Sequence, residues 1–547
     1  MSGVRIEYGD YAIGAREDFT ASAYPTADMF VDANQVLEDI SFPTYRDASE
    51  NYSVALDGNS LPFPSDPFGA NLGWWGGTLS NDVGEFDTPQ TLVLESEHAY
   101  TSPGFTFVFD VSGNVYPTEI TIVWLGANGF LKGQTFHPDS ATYFCESKVE
   151  YFSRVEVTFS KLNMPNARLK LYSVQFGRGA TFSGRELKSA RVSQVLDPIS
   201  SELAISTTDF VIDDKRAIDY TFQARQTIKT FFNNELISTS FVKNAKRKSK
   251  TDWDVQTEDY IGIMDGVSFP GGIYENESAR VLLKQIFDTA KVPYNMDTLE
   301  DASVSGYIPY TTCRIALMQV LFAIQAVADT SYADVVKVYT LTDDESESID
   351  GKRIMQGQSF NEGTRVTEVS VTAHAFVPTE EELVVYDGSV SGESTRVLVI
   401  FPEPLYDVNV RYGGIYEYGA NYAIISATNL CVLTGKKYKH LRSVKSKSNP
   451  LVLGTDTENV KSITEATLVS SSNIDNVLEK CYNWLVRTNK LSTRIAERKH
   501  NDVTVDARVG LGNKITVPTE YGSVDGRVVK SSFGLNGSIL IKDVEVV

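Results

Sequence analysis

Five histidines, four cysteines, two lysine-rich runs and two runs of carboxylates are the side chains with which this chain could do chemistry. Their spacing argues against most of it. A cysteine hydrolase brings a thiolate within reach of an imidazole. His98, His137, His374, His440 and His500 are dispersed, and only His137 and Cys145 are near neighbours in sequence. Cys145, Cys313, Cys431 and Cys481 stand far apart without a CxxC pair. They make no disulfide framework, and reduced, buried thiols are expected. Glycoside hydrolysis needs two carboxylates at a set separation. Asp343, Asp344, Glu345 and Glu347 form one acidic run, and Glu380, Glu381 and Glu382 another. Neither matches an EF-hand loop, and both read as solvated loops. There is no HExxH, no P-loop and no GxSxG elbow, and Gly510 and Gly512 are followed by Ile515 where a dinucleotide fingerprint wants a third glycine. No catalytic residue, no metal ligand and no cofactor is expected, and the chain is read as a non-enzyme.

Two basic clusters remain. Lys243, Lys246, Arg247, Lys248 and Lys250 form one. Lys436, Lys437 and Lys439 head the other, which continues through His440, Arg442, Lys445 and Lys447. They are candidate contacts to phosphate or to an acidic neighbouring subunit. The plainer alternative is a pair of exposed hairpin tips. Neither has the interleaved aromatics of a single-strand stacking groove. Trp74 and Trp75 are candidate sugar contacts, since an indole stacks on the apolar face of a hexose; in a β-rich unit such rings are more often core.

The elements that must carry these residues belong to a folded chain of several units. Its 547 residues suggest about three or four domains, and 42% hydrophobic with 22% charged residues is ordinary globular composition. A net charge of -21 argues against coating nucleic acid. The N-terminal MSGVRIEYGDYAIG lacks the basic and apolar regions of a signal peptide. No apolar run is long enough to span a membrane; the richest, residues 315–327, contains two glutamines.

Short strands dominate. TLVLESEHAY and FTFVFDV read as two strands joined by a Pro-Gly turn, with Phe105, Phe107 and Phe109 alternating along the second. EITIVWLG, ATYFCES, RVEVTFS and RLKLYSVQFG continue a β-sandwich that ends near Gly177. Further alternating strands follow to about residue 270, including a hairpin with a basic tip. Helices are expected at VLLKQIFDTAKV, with Val281, Leu282, Ile286 and Ala290 on one face, and at CRIALMQVLFAIQAVADT, with Thr311 or Thr312 as its N-cap. The strands then return. A late amphipathic helix presents Ile474, Leu478, Cys481, Tyr482 and Leu485, and Asn536 with Gly537 signals a closing hairpin.

The phrases EDYIGIMDGVSFPGGIY, GYIPYTTCRIALMQVLFAIQAVADTS, SELAISTTDFVIDD and KITVPTEYGSVDGRVVKSSFGLNG resemble baseplate-hub proteins of phages and prophages that infect Gram-positive bacteria. The segment from GTLSNDVGEFDTPQ through RLKLYSVQFG looks like the galactose-binding-type jelly roll found ahead of that module. The resemblance implies a β-rich multidomain α+β chain. A sandwich at 1–178 precedes a first hub β-barrel at 185–270, an α/β helical domain at 271–345 and a second barrel region at 346–547. It implies a virion structural protein of the tail tip, made in the host cytoplasm. Three copies would form a ring that joins the tail tube or distal tail protein to the tip, near the tape measure and a spike or tail lysin. Two alternatives stand beside it: a tail adhesin that binds cell-wall carbohydrate through the sandwich, and a tail-associated hydrolase.

Overall fold

The computed structural model describes residues 3–25, 33–38, 73–111, 113–342, 347–388, 396–426, 431–496, 509–534 and 541–547. The acidic residues Asp343, Asp344 and Glu345, the Asn536–Gly537 turn and His500 lie outside them. Among the described residues the chain is β-rich, with several sheets and short helices.

Alternation of apolar and polar residues builds the N-terminal sandwich. Strands Trp74–Leu79, Arg168–Gln175, Glu85–Phe109, Thr142–Leu162, Pro117–Gly126 and Gly129–Phe136 pair in that order, and Thr20–Tyr24 joins Glu85–Phe109. Phe105, Phe107, Phe109, Trp124 and Phe159 fill its core. The expected Pro-Gly turn is not a turn. Residues 85–109 form one strand of 25 residues, paired with the 21-residue Thr142–Leu162. Register shifts between residues 95 and 104 bend the pair without reversing it. Gly104 sits in this bend at φ 147°, where a Cβ would collide with the Cys145 carbonyl.

A second, larger sheet organises the rest. Its order is Ile354–Asn361, Lys490–Ala496, Ile541–Val546, Gly522–Gly534, Leu187–Val195, Thr207–Asp213, Asp252–Glu258, Glu235–Arg247, Thr227–Phe232, Val4–Tyr11 and Gly177–Ser183. Two barrels were expected here. The pairing instead runs as one open path with two lobes, each with its own core. The lobes join where residues 191–195 pair with 530–534, because Leu187–Val195 bonds to a neighbour along both edges. The strand Val4–Tyr11, inside the range expected to be sandwich, pairs with Thr227–Phe232 and Gly177–Ser183 in this sheet. Its Ile6 and Tyr8 alternate into the apolar core beside Phe182 and Ile228.

The helical unit matches its sequence signals closely. Ser278 caps Ala279–Ala290 by accepting from the Val281 amide, and Thr312 caps Cys313–Ile324 by accepting from Ile315. Leu282, Leu283, Ile286, Phe287, Leu317 and Leu321 pack between the two helices. Val281, expected on the buried face, is exposed instead. The late helix Ile474–Leu485 buries Ile474, Val477, Leu478 and Cys481 against Val369, Val371 and Ala373 of a separate four-stranded sheet. That sheet and a three-stranded one form an arm, inserted between Ile354–Asn361 and Lys490–Ala496, that contributes no strand to the central sheet.

Gly177 stands at φ 143° opposite Tyr11, and a Cβ there would collide with the Asp10 carbonyl. Gly177→Ala is therefore expected to lower stability by about 2–4 kcal/mol, read as a lower urea midpoint. An unchanged midpoint would show that the chain does not pass through this close approach.

Candidate functional site

The arm starts from two long antiparallel strands, Glu368–Gly388 and Cys431–Ser448. Leu405–Arg411 and Val460–Ile463 flank them. Beyond lies the three-stranded sheet Arg396–Ile400, Tyr422–Ser426 and Gly414–Tyr418. The second basic cluster runs along Cys431–Ser448, and cross-strand pairing decides what its charges face. Lys436 lies 2.8 Å from Glu380 and 3.2 Å from Asp407. Lys437 lies 3.1 Å from Glu403 and 3.2 Å from Glu381. These carboxylates, Glu380 first for Lys436 and Glu403 first for Lys437, hold both ammonium groups above their usual range. Lys445 and Lys447 reach Asp475 and Glu479 of the late helix. Lys439 is exposed.

The first cluster behaves alike on the hairpin of Glu235–Arg247 and Asp252–Glu258. Lys243 pairs with Glu258 at 3.0 Å, Arg247 with Asp219 at 2.7 Å and Lys248 with Asp254 at 2.7 Å. Arg247 also lies over the Trp253 ring. Lys246 and Lys250 are exposed. Exposed pairs like these add little stability, but they do decide chemistry. A lysine already matched to a carboxylate offers a phosphate no unmet charge, which leaves Lys246, Lys250 and Lys439 as the exposed lysines of the two clusters outside those pairs.

The tryptophans sit on the other side of the same question. Trp74 is fully buried against Phe159, so its ring cannot meet a sugar. Trp75 is half-buried with Lys170 over its face. Strand alternation puts one of two adjacent tryptophans inward and the other toward the opposite face.

The cysteines are buried, and desolvation pushes their thiols up, Cys313 to about 11 and Cys481 to about 12. That is opposite to what a nucleophile needs. No group of three or more histidine, cysteine or acidic side chains is placed to hold a metal among the described residues. One buried carboxylate is raised to about 6 by desolvation, Asp259, but it caps the turn Tyr260–Ile263 and accepts from Ser206, Gly262 and Thr330.

Two features went unread in the sequence. The first is a histidine pair at the root of the arm. His374 Nδ1 lies 2.8 Å from His440 Nε2, and Phe376 stacks on His440 with Tyr307 beyond it. Strand register brings them together, since Phe376 is opposite His440 and His374 opposite Arg442. Burial first, then the neighbouring His440 and Arg442, lowers the His374 pKa, and Glu465 opposes them. His440 is lowered by burial and Arg442.

The second is the arm's apolar face. Val399 and Ala423 point into a core of seven buried residues. Leu398 and Ile400 point outward, 48% and 50% exposed, opposite Ile424 and Tyr422. Tyr412 is 77% exposed. Val377, Val384, Tyr416, Tyr418, Leu441, Val444 and Val460 are exposed elsewhere on the arm's strands. Exposed apolar side chains gathered on one small unit are the kind of surface that protein contacts use. The signal was present in the strand RVLVI, where both faces are apolar although only one can face a core this thin.

No family model matches the chain, and no curated protein matches it. Solved structures do. The tail protein from Neisseria meningitidis MC58 is 11% identical, with a TM-score of 0.43 over 66% of this chain and 92% of that one. The 43 kDa tail protein of prophage MuSo2 from Shewanella oneidensis is 8% identical, with a TM-score of 0.42 over 67% and 95%. Prophage tail protein gp18 from Listeria monocytogenes EGD-e is 11% identical, with a TM-score of 0.37 over 67% and 91%.

Because both histidine pKa values are lowered in the folded chain, the unfolded chain binds more protons as pH falls below the usual histidine value. Stability contributed by the neutral pair is present above that value and is lost as pH falls through the lowered ones. His440→Phe should therefore lose less stability than the unsubstituted chain between about pH 7 and 5, measured as urea midpoints. Parallel losses in both proteins would refute this role.

Proposed function

We propose that this chain is a structural subunit of a phage tail tip, a hub-type protein that assembles with copies of itself into a ring and does no chemistry of its own. The observation that carries the proposal is the arm, whose outer strand exposes Leu398 and Ile400 on the face turned away from its core. A unit of this size with so thin a core gains most by covering that face. A neighbouring copy is the occupant that fits a ring, since head-to-tail contacts between identical chains close when the rotation permits. Two β lobes with a helical unit between them in sequence also follow the module order that the hub resemblance implies. On this reading the ring is a homotrimer seated between the tail tube or distal tail protein and the tip, with the tape measure and a spike or tail lysin as neighbours. The protein is a virion component made in the host cytoplasm. Among the described residues no helix is long and apolar enough to cross a membrane.

A second reading, a carbohydrate-binding adhesin, is favoured by one observation at the sandwich. Phe130 and Tyr151 are 70% and 72% exposed. The Leu131 side chain and the Tyr151 carbonyl flank Gly126 at the same hairpin tip. Tyr151 holds φ 59°, an uncommon conformation for a bulky residue. The two readings are compatible.

Light scattering tests the first. The expected mass is three times the 60.5 kDa chain, and Leu398→Glu with Ile400→Glu should return it to one chain. A monomer at every concentration, or a trimer indifferent to both substitutions, would contradict the arm's role. For the second reading, binding to cell-wall glycan should fall at least about tenfold in Phe130→Ala with Tyr151→Ala. No binding by the unsubstituted chain would end it.

A further inference from the structure

The long strand Glu368–Gly388 changes character at one residue. Positions 369–374 are buried, and none of 375–388 is. His374 is the last buried residue, and His440 lies on an exposed stretch of the facing strand. Just beyond them the pairing register slips, between Pro378 and Glu382. The histidine pair therefore stands where the anchored root of the arm gives way to its exposed half. A chain of rings runs from that point to the helical unit. Phe376 stacks on His440 with ring centroids 4.5 Å apart, and Tyr307 of Ser303–Ile308 packs on Phe376 at 5.1 Å. On the outer sheet, Asn421 donates to the carbonyls of Pro270 and Ile308.

The geometry of the pair limits how many protons it can hold. The two nitrogens are 2.8 Å apart and the ring centroids 5.1 Å, so the rings meet edge to edge with room for one hydrogen between them. The Thr464 carbonyl lies beside the His374 ring, and His374 Nε2 is buried with no other partner among the described residues. Placing a hydrogen on His374 Nε2, toward that carbonyl, leaves His374 Nδ1 to accept from His440 Nε2. A first added proton then goes to His440 Nδ1, and the shared hydrogen bond survives. A second has only His374 Nδ1 to bind. Two N–H groups would then face each other, and the rings must part.

We infer that the His374–His440 pair is an acid-sensitive latch, which holds the exposed half of the arm against the helical unit and releases it when both imidazoles are protonated. The closed pair takes one added proton and the open pair two. Acid therefore favours the open form by up to about tenfold per pH unit below the ordinary histidine value of about 6.5. The groups around the pair act in the same sense on balance. Burial is the largest effect on both rings, Arg442 opposite His374 repels either charge, and Glu465 opposes them. From the helical unit, burial and then Glu403 push Tyr307 up to about 12, so it stays neutral, and Glu403 is paired with Lys437. From the late helix, Asp475 and Glu479 are paired with Lys445 and Lys447. The latch belongs to the single chain and stands whether or not the arm's outer face meets a second copy.

The test is amide hydrogen exchange of the dilute full chain at about pH 7.5 and about pH 5.5, corrected for the intrinsic pH dependence of exchange. Peptides spanning Tyr307, Phe376 and His440 should lose protection at the lower pH, by up to about tenfold. Peptides spanning Phe105 and Phe107 in the sandwich core should not. His440→Phe keeps a ring on Phe376 but does not titrate, and His374→Gln keeps a neutral amide at the buried position. Each substitution should flatten the pH response of the three arm and helical-unit peptides. A response of equal size in both variants overturns the proposal. So does a loss of protection spread evenly over the chain, or no loss at all in the unsubstituted protein.

Discussion

The structure depends on keeping backbone hydrogen bonds satisfied along one sheet assembled from distant parts of the chain. An unpaired strand edge is costly when buried and adhesive when exposed. The central sheet meets this constraint by drawing strands from residues 4–11, 177–258, 354–361 and 490–546. The pairing of 191–195 with 530–534 closes the gap between its two lobes. Two of the insertions leave and re-enter through a paired gate. The sandwich departs after Tyr11 and returns at Gly177, which are register partners. The arm and late helix depart after Asn361 and return at Lys490, also partners. Each of these insertions can thus be large without disturbing the frame, and at the first gate a Cβ on Gly177 would collide with the Asp10 carbonyl.

This frame explains how large insertions can be carried at little structural cost. The sandwich has a thick aromatic core and stands on its own packing. The arm does not, since its outer sheet rests on seven buried residues. Charge follows the same division. Across the two basic hairpins, strand register sets most of the lysines opposite acids, which keeps a strongly acidic chain from carrying adhesive basic patches.

What was legible in the sequence is what is local. Thr312 and Ser278 announced their helices, because a cap and an apolar period lie within a few residues of each other. Phe105, Phe107 and Phe109 announced a strand by alternation. The Pro-Gly pair before them was misread, since the same dipeptide serves a turn or a bend, and only the 25-residue partner pairing chooses. Trp74 was read as a possible sugar contact because the sequence does not say which of two adjacent indoles faces inward. The register of Tyr11 with Gly177 and the meeting of His374 with His440 rest on contacts between residues far apart in the chain. No local pattern encodes them.

The central claim is that the arm's outward face is covered when the protein assembles. Hydroxyl-radical footprinting at low and high protein concentration tests it most directly. The account predicts that Leu398, Ile400, Tyr412 and Tyr416 are labelled in the dilute protein and protected in the concentrated one, while Phe130 and Tyr151 on the sandwich stay labelled in both. Equal labelling of the four arm residues at every concentration would contradict it.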